Sequence, residues 1–417
     1  MSYSAQQVRV LAVLTLVNFV NYIDRLIIFP LFSLIKVEFL LTDAELGLLG
    51  SVFQFVHSPA NVILGLVADR TSRVKVMTYG VLFWSGATFL SGLAGSYHWL
   101  LLTRALVGVG EAAYAPAGSA ELTATFPQRA RARVQGIFNA GMFMGGAAGL
   151  ALGGMLADSM GWRPAFFVVG APGFLLAILL WKLPSPPLRE HVERIPVQKL
   201  LRVPAFVAIL VSGWFATFAA QAYLTWGTEF VRRYKGFTLA QAGVSLGATI
   251  IVAGVLGVMT GAALADILAK RAVWARAAVV AAGFLIAAPL VWRALLTPSR
   301  TEFVILFALG SFFLSWYHGP VIAIIHDLIP DRAHATAVGV AYFLINFSAP
   351  ALAPWVVGQI ADRAGLLAGM QVAVAAQVAG GLLYILVTYF IRRDGLHHPA
   401  LDAYRTPPPG AATESVR

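Results

Sequence analysis

Long apolar segments separated by short polar breaks run the length of the chain. They fall at about 8–35, 45–67, 76–95, 99–125, 134–157, 165–181, 205–230, 240–265, 274–294, 302–328, 336–361 and 367–391. Most approach or exceed the roughly 20 residues that a helix needs to cross about 30 Å of hydrocarbon. The pattern predicts an all-α membrane protein of twelve transmembrane helices. One long polar break, residues 182–204 (KLPSPPLREHVERIPVQKLLRVP), reads as a cytoplasmic linker between an N-terminal six-helix bundle at 1–181 and a C-terminal one at 205–393. The tail, 394–417, carries Pro407, Pro408, Pro409 and Gly410 and is expected to be disordered.

Composition agrees and sharpens the picture. Of 417 residues, 59% are hydrophobic and 12% charged, against roughly 25% charged in soluble chains. The net charge of +11 would suit a nucleic-acid binder, but the basic residues cluster in the breaks. With a cytoplasmic N-terminus, twenty of the 30 Lys and Arg flank that side, among them Arg129, Arg131, Arg133, Lys270, Arg271 and Arg276. Both termini are therefore expected in the cytoplasm of a cell with the chain in its inner membrane, and the charge is a topology signal. The first segment is too long for a signal-peptide core and is read as a transmembrane helix. There is no cysteine, so disulfide and thiolate chemistry are excluded. No phosphate-cradling loop, metal-ligand spacing or nucleophile with an obvious base is present, so neither an enzyme nor an ATP-driven pump is expected, and no cofactor beyond a coupling proton.

The halves repeat one another. Leu41-Thr42-x-Ala44-x-x-Gly47 recurs as Phe237-Thr238-x-Ala240-x-x-Gly243. Pro127-x-Arg129-Ala130-x-Ala132 recurs as Pro330-x-Arg332-Ala333-x-Ala335, and Gly154-x-x-x-Asp158 as Gly358-x-x-x-Asp362. Three matches in the same order at nearly constant offset predict a duplication, with both halves entering the membrane from the same side and substrate held between them.

Charges inside the spans are the candidate chemistry, because each costs at least about 2.5–3.5 kcal/mol to insert. Asp24 and Arg25 lie on the first helix, Arg104 and Glu111 on the fourth. At 1.5 Å per residue, Asp24 and Arg104 lie at matching depth, and they are expected to pair across helices. Arg104 and Glu111 share a face about 10 Å apart along the axis, too far for an easy bridge, so Glu111 is expected to face a hydrated cavity. Two readings stay open for each: proton coupling by Asp24, Arg104 and Glu111, or a static ion pair beside a neutral core acid. Asn18, Asn21, Asp24 and Arg25 form a polar stripe, although Arg25 has the alternative of snorkelling outward. Glu121 is expected to pair with Arg129 or Arg131.

Ala220 stands opposite Asp24 at the repeat offset, so the second half has no equivalent charge. It offers Tyr223, Trp226, Trp316, Tyr317, His318, Tyr342 and Asn346. With Asn21 and Tyr114 from the first half, Tyr223, Trp226, Tyr317, His318, Tyr342 and Asn346 are the candidate substrate cavity, each with packing or interfacial anchoring as its alternative. His57 and His318 are the titratable histidines within the spans.

The loop Gly65-Leu66-Val67-Ala68-Asp69-Arg70-Thr71-Ser72-Arg73-Val74-Lys75 resembles the G-x-x-x-D-R-x-x-R-x-[KR] motif of the major facilitator superfamily. That resemblance implies a gate at Gly65, Asp69, Arg70 and Arg73. The matching loop of the second half, Gly261 to Arg271, lacks the Asp-Arg pair. On the fifth segment, Gly141, Gly145, Gly149 and Gly153 lie four apart, with Gly257 and Gly261 of the eighth as a candidate partner face. Gly136, Gly145, Gly149, Gly153 and Gly154 look like the superfamily's antiporter glycine pattern, except that Leu150 replaces its proline. Asn21-Tyr22-Ile23-Asp24-Arg25 and Leu101 to Ala112 resemble the spinster family of lipid transporters over about residues 18–175. The resemblance implies proton-linked transport through Asp24, Arg104 and Glu111 and a lysophospholipid or sphingolipid substrate, carried by a membrane-embedded monomer. Organic-anion transporters sharing Asn-Tyr-x-Asp-Arg, an uncoupled facilitator or drug exporter, and a ligand sensor that moves nothing are the alternatives.

Overall fold

In a computed structural model of the chain, residues 3–184, 196–330, 334–396, 398–399 and 401 are described, and the side chains of residues 69, 132 and 335 are left out. Residues 185–195 of the predicted linker and most of the predicted tail therefore fall outside the described residues. The described residues are helical almost throughout. The first half holds α1 (Ala5–Phe39), α2 (Asp43–Arg70), α3 (Arg73–Gly92), α4 (Tyr97–Ala112), α5 (Ala115–Thr125), α6 (Gln128–Met160) and α7 (Trp162–Trp181). A single turn, α8 (Val197–Leu200), precedes the second half. That half holds α9 (Pro204–Lys235), α10 (Leu239–Thr249), α11 (Val255–Ala269), α12 (Ala275–Leu296), α13 (Arg300–Leu314), α14 (His318–Leu328), α15 (His334–Ala364) and α16 (Leu366–Asp394).

These make twelve membrane crossings, because three are built from two helices. α4 and α5 form one crossing, broken where Pro116 has no N–H to give the turn before it. α13 and α14 form another, joined by the 3₁₀ turn Ser315–Tyr317 ahead of Pro320. Pro116 and Pro320 are 204 residues apart, so the break itself belongs to the repeat. α10 and α11 are joined by the π-turn Ile250–Gly254. Ten stretches are long and apolar enough to cross a bilayer among the described residues. The other two crossings are α3, which begins on Arg73 and Lys75, and the broken α4–α5.

Packing defines how the bundles meet. The start of α1 and the end of α16 lie on one face, the terminal face, and the opposite one is the distal face. Toward the terminal face each bundle has its own apolar core: Val10, Leu14, Met77 and Val134 in the first, Phe206, Ile209, Ile325 and Val387 in the second. Toward the distal face a single core runs through both, from Ile27, Phe32 and Leu150 to Trp226, Leu246, Ala353 and Val357. The bundles are therefore joined at the distal side and parted at the terminal side.

The duplicated motifs make the distal seal. Thr42 and Thr238 are N-caps of α2 and α10, each in a capping box with Glu45 or Gln241. Asp362 of α15 accepts from the backbone N–H of Asp43 and Ala44 at 2.8 and 2.9 Å, and Asp158 of α6 accepts from Ala240 N–H at 2.9 Å. Each carboxylate thus sits on the positive end of a helix from the other half. The glycines set the approach. A β-carbon on Gly154 would strike the Leu239 carbonyl, on Gly358 that of Asp43, on Gly47 that of Pro354 and on Gly243 that of Leu150. Arg233 adds two 2.7 Å bonds to Asp43, which Lys36 also reaches at 2.6 Å.

Gly141, Gly145, Gly149 and Gly153 do not pack on the eighth crossing as the sequence suggested. They receive the α1 carbonyls of Thr15, Phe19, Ile23 and Ile27, while Gly257 and Gly261 pack on Phe312 and Trp316. The stripe thus fixes the helix that carries Asp24 and Arg25.

Because the chain has no cysteine, spin labels on Leu40→Cys and Arg363→Cys report the distal seal alone. Gly47→Val should lengthen that distance, since overpacking of this kind costs about 1–3 kcal/mol, a population change of roughly fivefold or more. An unaltered distance distribution would count against the seal.

Candidate functional site

α1 turns Asn18, Asn21 and Asp24 inward because the glycine stripe of α6 holds its other side. Asn18 Nδ2 donates to Phe138 O at 2.8 Å. Asp24, 1% exposed, receives the Thr88 hydroxyl of α3 at 2.5 Å and lies 3.5 Å from Arg104 Nη1. Arg104, also 1% exposed, keeps Nε and Nη1 without a hydrogen-bond partner. The pairing follows the matched depth of the two residues; Thr88, on a third helix, carries no signal in the sequence that would have found it.

Arg25 does not snorkel outward. Its Nη2 and Nε donate to Glu111 Oε2 at 2.9 and 3.1 Å, and Nη2 also lies 3.3 Å from His57 Nε2. The guanidinium stands over the rings of Tyr22 and Phe53, at 4.8 and 4.9 Å. Phe53 in turn stacks on His57 and lies 5.5 Å from Arg104. Gly108 makes room: a β-carbon there would lie 2.6 Å from Phe53 O.

Glu111 therefore differs from the expectation of a hydrated carboxylate. Its side chain is fully buried and held by Arg25, with Oε1 unpartnered. The Arg25 side chain, 20% exposed, is the least buried member of the cluster. The axial spacing of Arg104 and Glu111 holds, but the face of α1 that presents Arg25 to Glu111 is set by packing on α6.

Two expected cavity residues belong to the packed interior. Tyr114 is 0% exposed, its hydroxyl donates to Leu14 O, and its ring meets Trp84 and Phe138. Trp226, also 0% exposed, donates to Pro354 O and packs on Phe32 in the distal core. Asn21 is 2% exposed with Nδ2 unpartnered. Tyr223, Tyr317 and His318 do line a cavity, of about 750 Å³ including the part open to solvent. Phe143, Ala220, Leu224, Leu246, Phe307 and Leu314 make its apolar wall, and Thr249, Ser311 and Ser315 supply hydroxyls. The π-turn contributes Ile250 and Gly254, a local widening that only the folded helix reveals. Tyr342 is exposed on α15 and near Tyr22 of α1, and Asn346 Nδ2 turns back to Tyr342 O.

At the terminal face, Arg73 is buried with Nε unpartnered, and Arg70 is exposed. The Asp69 side chain lies outside the described residues. Gly65 makes no close approach: a β-carbon there would meet Pro116 only at ordinary contact distance. Glu121 is not paired with Arg129 or Arg131; both its oxygens are buried and unpartnered, and the charge facing it is Arg73. Among the described residues no three His, Cys, Asp or Glu converge as metal ligands.

Two interlocked bundles with a charge cluster in one and an apolar cavity beside the other can be compared with known proteins. The sequence profile of the Major Facilitator Superfamily matches residues 14–292. The chain belongs to this superfamily. It is 30% identical over 402 residues to an MFS-type efflux pump of Mycolicibacterium smegmatis, covering 92% of each. It is also 30% identical to a probable sulfoacetate transporter of Cupriavidus necator, covering 85% of this chain and 87% of that one. The spinster likeness returns in a solved structure, a bacterial homologue of the human lysosomal transporter spinster in its inward-facing, occupied conformation. That structure superposes with a TM-score of 0.85 at 25% identity, over 94% of this chain and 99% of the other.

Removing one partner of a buried ion pair strands the other, at a cost of about 3–5 kcal/mol. Arg104→Gln should therefore lower the melting temperature of the detergent-purified protein markedly, and adding Asp24→Asn should recover much of the loss. Equal melting of the single and double variants would mean the two groups are not coupled.

Proposed function

We propose that the protein is a proton-coupled secondary transporter of an amphipathic, anionic, lipid-like substrate, working by alternating access between its two bundles. The observation that carries this reading is the cluster Asp24, Arg25, Arg104 and Glu111. With both acids ionised it is neutral, so binding one proton leaves a net positive charge in a site of low dielectric constant. Asp24 Oδ1 and Glu111 Oε1 lack hydrogen-bond partners and are the atoms that would take the proton. The cation then left in excess includes Arg25, the least buried member of the cluster, which could meet an anionic headgroup.

The apolar cavity under Phe143, Leu224 and Phe307 suits an alkyl chain, and its hydroxyls and His318 suit the polar end of one. On the bias of Lys and Arg, the terminal face is cytoplasmic, so the conformation described above is the inward-facing one. Breaking the Asp43–Arg233 bonds and the two helix-end contacts at the distal face would let the bundles rock to the outward-facing state. The gate at the opposite face would then use Asp69, Arg70 and Arg73, as the motif suggests.

A smaller organic anion is the second reading, favoured by the name of the sulfoacetate relative and by the part-exposed guanidinium of Arg25. Proteoliposomes under an imposed pH gradient separate the two. Uptake of lysophosphatidylglycerol should follow the gradient and fall about tenfold or more in Glu111→Gln, while counterflow without a gradient persists. Uptake of sulfoacetate but not of the lysolipid would favour the second reading. Gradient-driven flux unchanged in both Glu111→Gln and Asp24→Asn would remove the coupling claim.

A further inference from the structure

The charge cluster lies wholly in the first bundle, yet transport requires that its protonation be felt where the bundles touch. One residue stands between the two. His57 is on α2, 8% exposed, with Nε2 at 3.3 Å from Arg25 Nη2. A guanidinium only donates, so Nε2 is the acceptor and the neutral ring carries its hydrogen on Nδ1. Nδ1 is buried without a partner. The charged and titratable groups facing the ring come from two helices: Arg25, with Tyr22 and Asp24 beside it, from α1, and Glu111 and Arg104 from α4. α4 also presses on the α2 backbone at this level, since a β-carbon on Gly108 would lie 3.3 Å from His57 N.

The neighbours of His57 along α2 reach the other bundle. Gln54 Nε2 and Ser58 Oγ both donate to the backbone carbonyl of Asn346 on α15, at 3.1 Å each, and Gln54 also bonds Ser58 at 2.9 Å. That carbonyl is free for a reason written in the chain. Its helical partner would be the N–H of residue 350, which is proline. Tyr342, one turn away on α15, is the titratable side chain that the second bundle brings to this level. The cluster and the inter-bundle bond thus meet within one turn of α2, with His57 touching the first and Gln54 and Ser58 making the second.

We propose that His57 is a positioning residue that passes the state of the Arg25–Glu111 pair to the α2–α15 seam, by accepting a hydrogen bond from Arg25 when Glu111 no longer holds it. This rests on the proton coupling proposed above. When Glu111 is ionised, Arg25 is shared between the carboxylate and the ring. When Glu111 takes a proton, its pull on the guanidinium drops to that of a neutral acceptor, and His57 becomes the protein group that retains Arg25. The load then falls on the turn of α2 whose other side is tied to the Asn346 carbonyl. The role needs a neutral acceptor at the position of Nε2. It does not need the ring to titrate.

Glutamine preserves such an acceptor, because its amide oxygen reaches where Nε2 stands. Phenylalanine keeps the stack on Phe53 and removes the acceptor. The test uses the full chain in lipid nanodiscs, with spin labels on Leu40→Cys and Arg363→Cys reading the distal opening between pH 5 and 9 and no substrate added. In the otherwise native chain the distance should change with pH. His57→Phe should move the midpoint toward acid by at least about half a unit, a threefold change in proton concentration, because Glu111 then holds the Arg25 hydrogen bonds without competition from the ring. His57→Gln should leave the midpoint within about 0.2 of a unit of the native one. A native midpoint retained in His57→Phe overturns the role of His57 while leaving proton coupling standing. A shift in His57→Gln as large as in His57→Phe overturns it too, since the ring's own titration would then be what matters. No pH dependence in the native chain overturns the coupling reading and this inference together.

Discussion

A charge in hydrocarbon must find a partner, and the fold around residues 18–111 is arranged by that requirement. Four ionisable side chains on α1 and α4 are buried within reach of one another, and each finds its opposite: Arg104 for Asp24, Arg25 for Glu111. The desolvation cost of such pairs roughly offsets their attraction, so they add little net stability. They make every rearrangement of α1 against α4 expensive unless a charge is first cancelled. In the proposed mechanism a proton on either acid cancels one. The same constraint explains why the second bundle, with Ala220 opposite Asp24, is free to present an apolar cavity instead.

Close backbone approach is the other half of the design. Lipid tails are as apolar as a protein core, so helices in a bilayer gain little from burying leucines and much from small residues that bring backbones together. Here the glycines divide the work. Those of α6 hold α1 and hence the orientation of Asp24 and Arg25, and Gly47, Gly154, Gly243 and Gly358 close the distal face. Asp158 and Asp362 lock that closure onto helix ends by contacts that can be made and broken without stranding a charge in lipid, since they lie at the surface end of the bundle. A rigid internal joint and an external one made of breakable contacts are what the proposed rocking mechanism needs, and the duplicated motifs supply the second of these twice.

Proline and glycine also decide where the helices are allowed to be imperfect. Pro116 and Pro320 break the fourth and tenth crossings at equivalent points. Pro350 frees the Asn346 carbonyl to bind α2, and the π-turn at Ile250–Gly254 widens the eighth crossing beside the cavity. Non-helical backbone at membrane depth is tolerated only where protein or a water-filled space satisfies it. Each of these irregularities accordingly lies against a helix–helix contact or the cavity.

Much of this was legible beforehand. The alternation of apolar segments and polar breaks marked the twelve crossings, ten of them long and apolar enough on that ground alone; the spacing of Thr42, Gly154 and Asp158 and their repeats determined the duplication, and a rise of 1.5 Å per residue brought Asp24 level with Arg104. Helical periodicity tells which residues share a face of one helix, and it does so without a partner. It does not tell which helix that face meets, because in lipid most faces are apolar and, away from a polar stripe such as that of α1, the pattern carries little inside–outside code. So Arg25 rather than water proved to be the partner of Glu111, Tyr114 and Trp226 proved to be core rather than cavity, and Glu121 faced Arg73 rather than the arginines next to it in the chain. Those outcomes depend on the rotation of each helix about its axis, which is set by which glycine accepts which carbonyl across the bundle, and that exists only once the helices have packed.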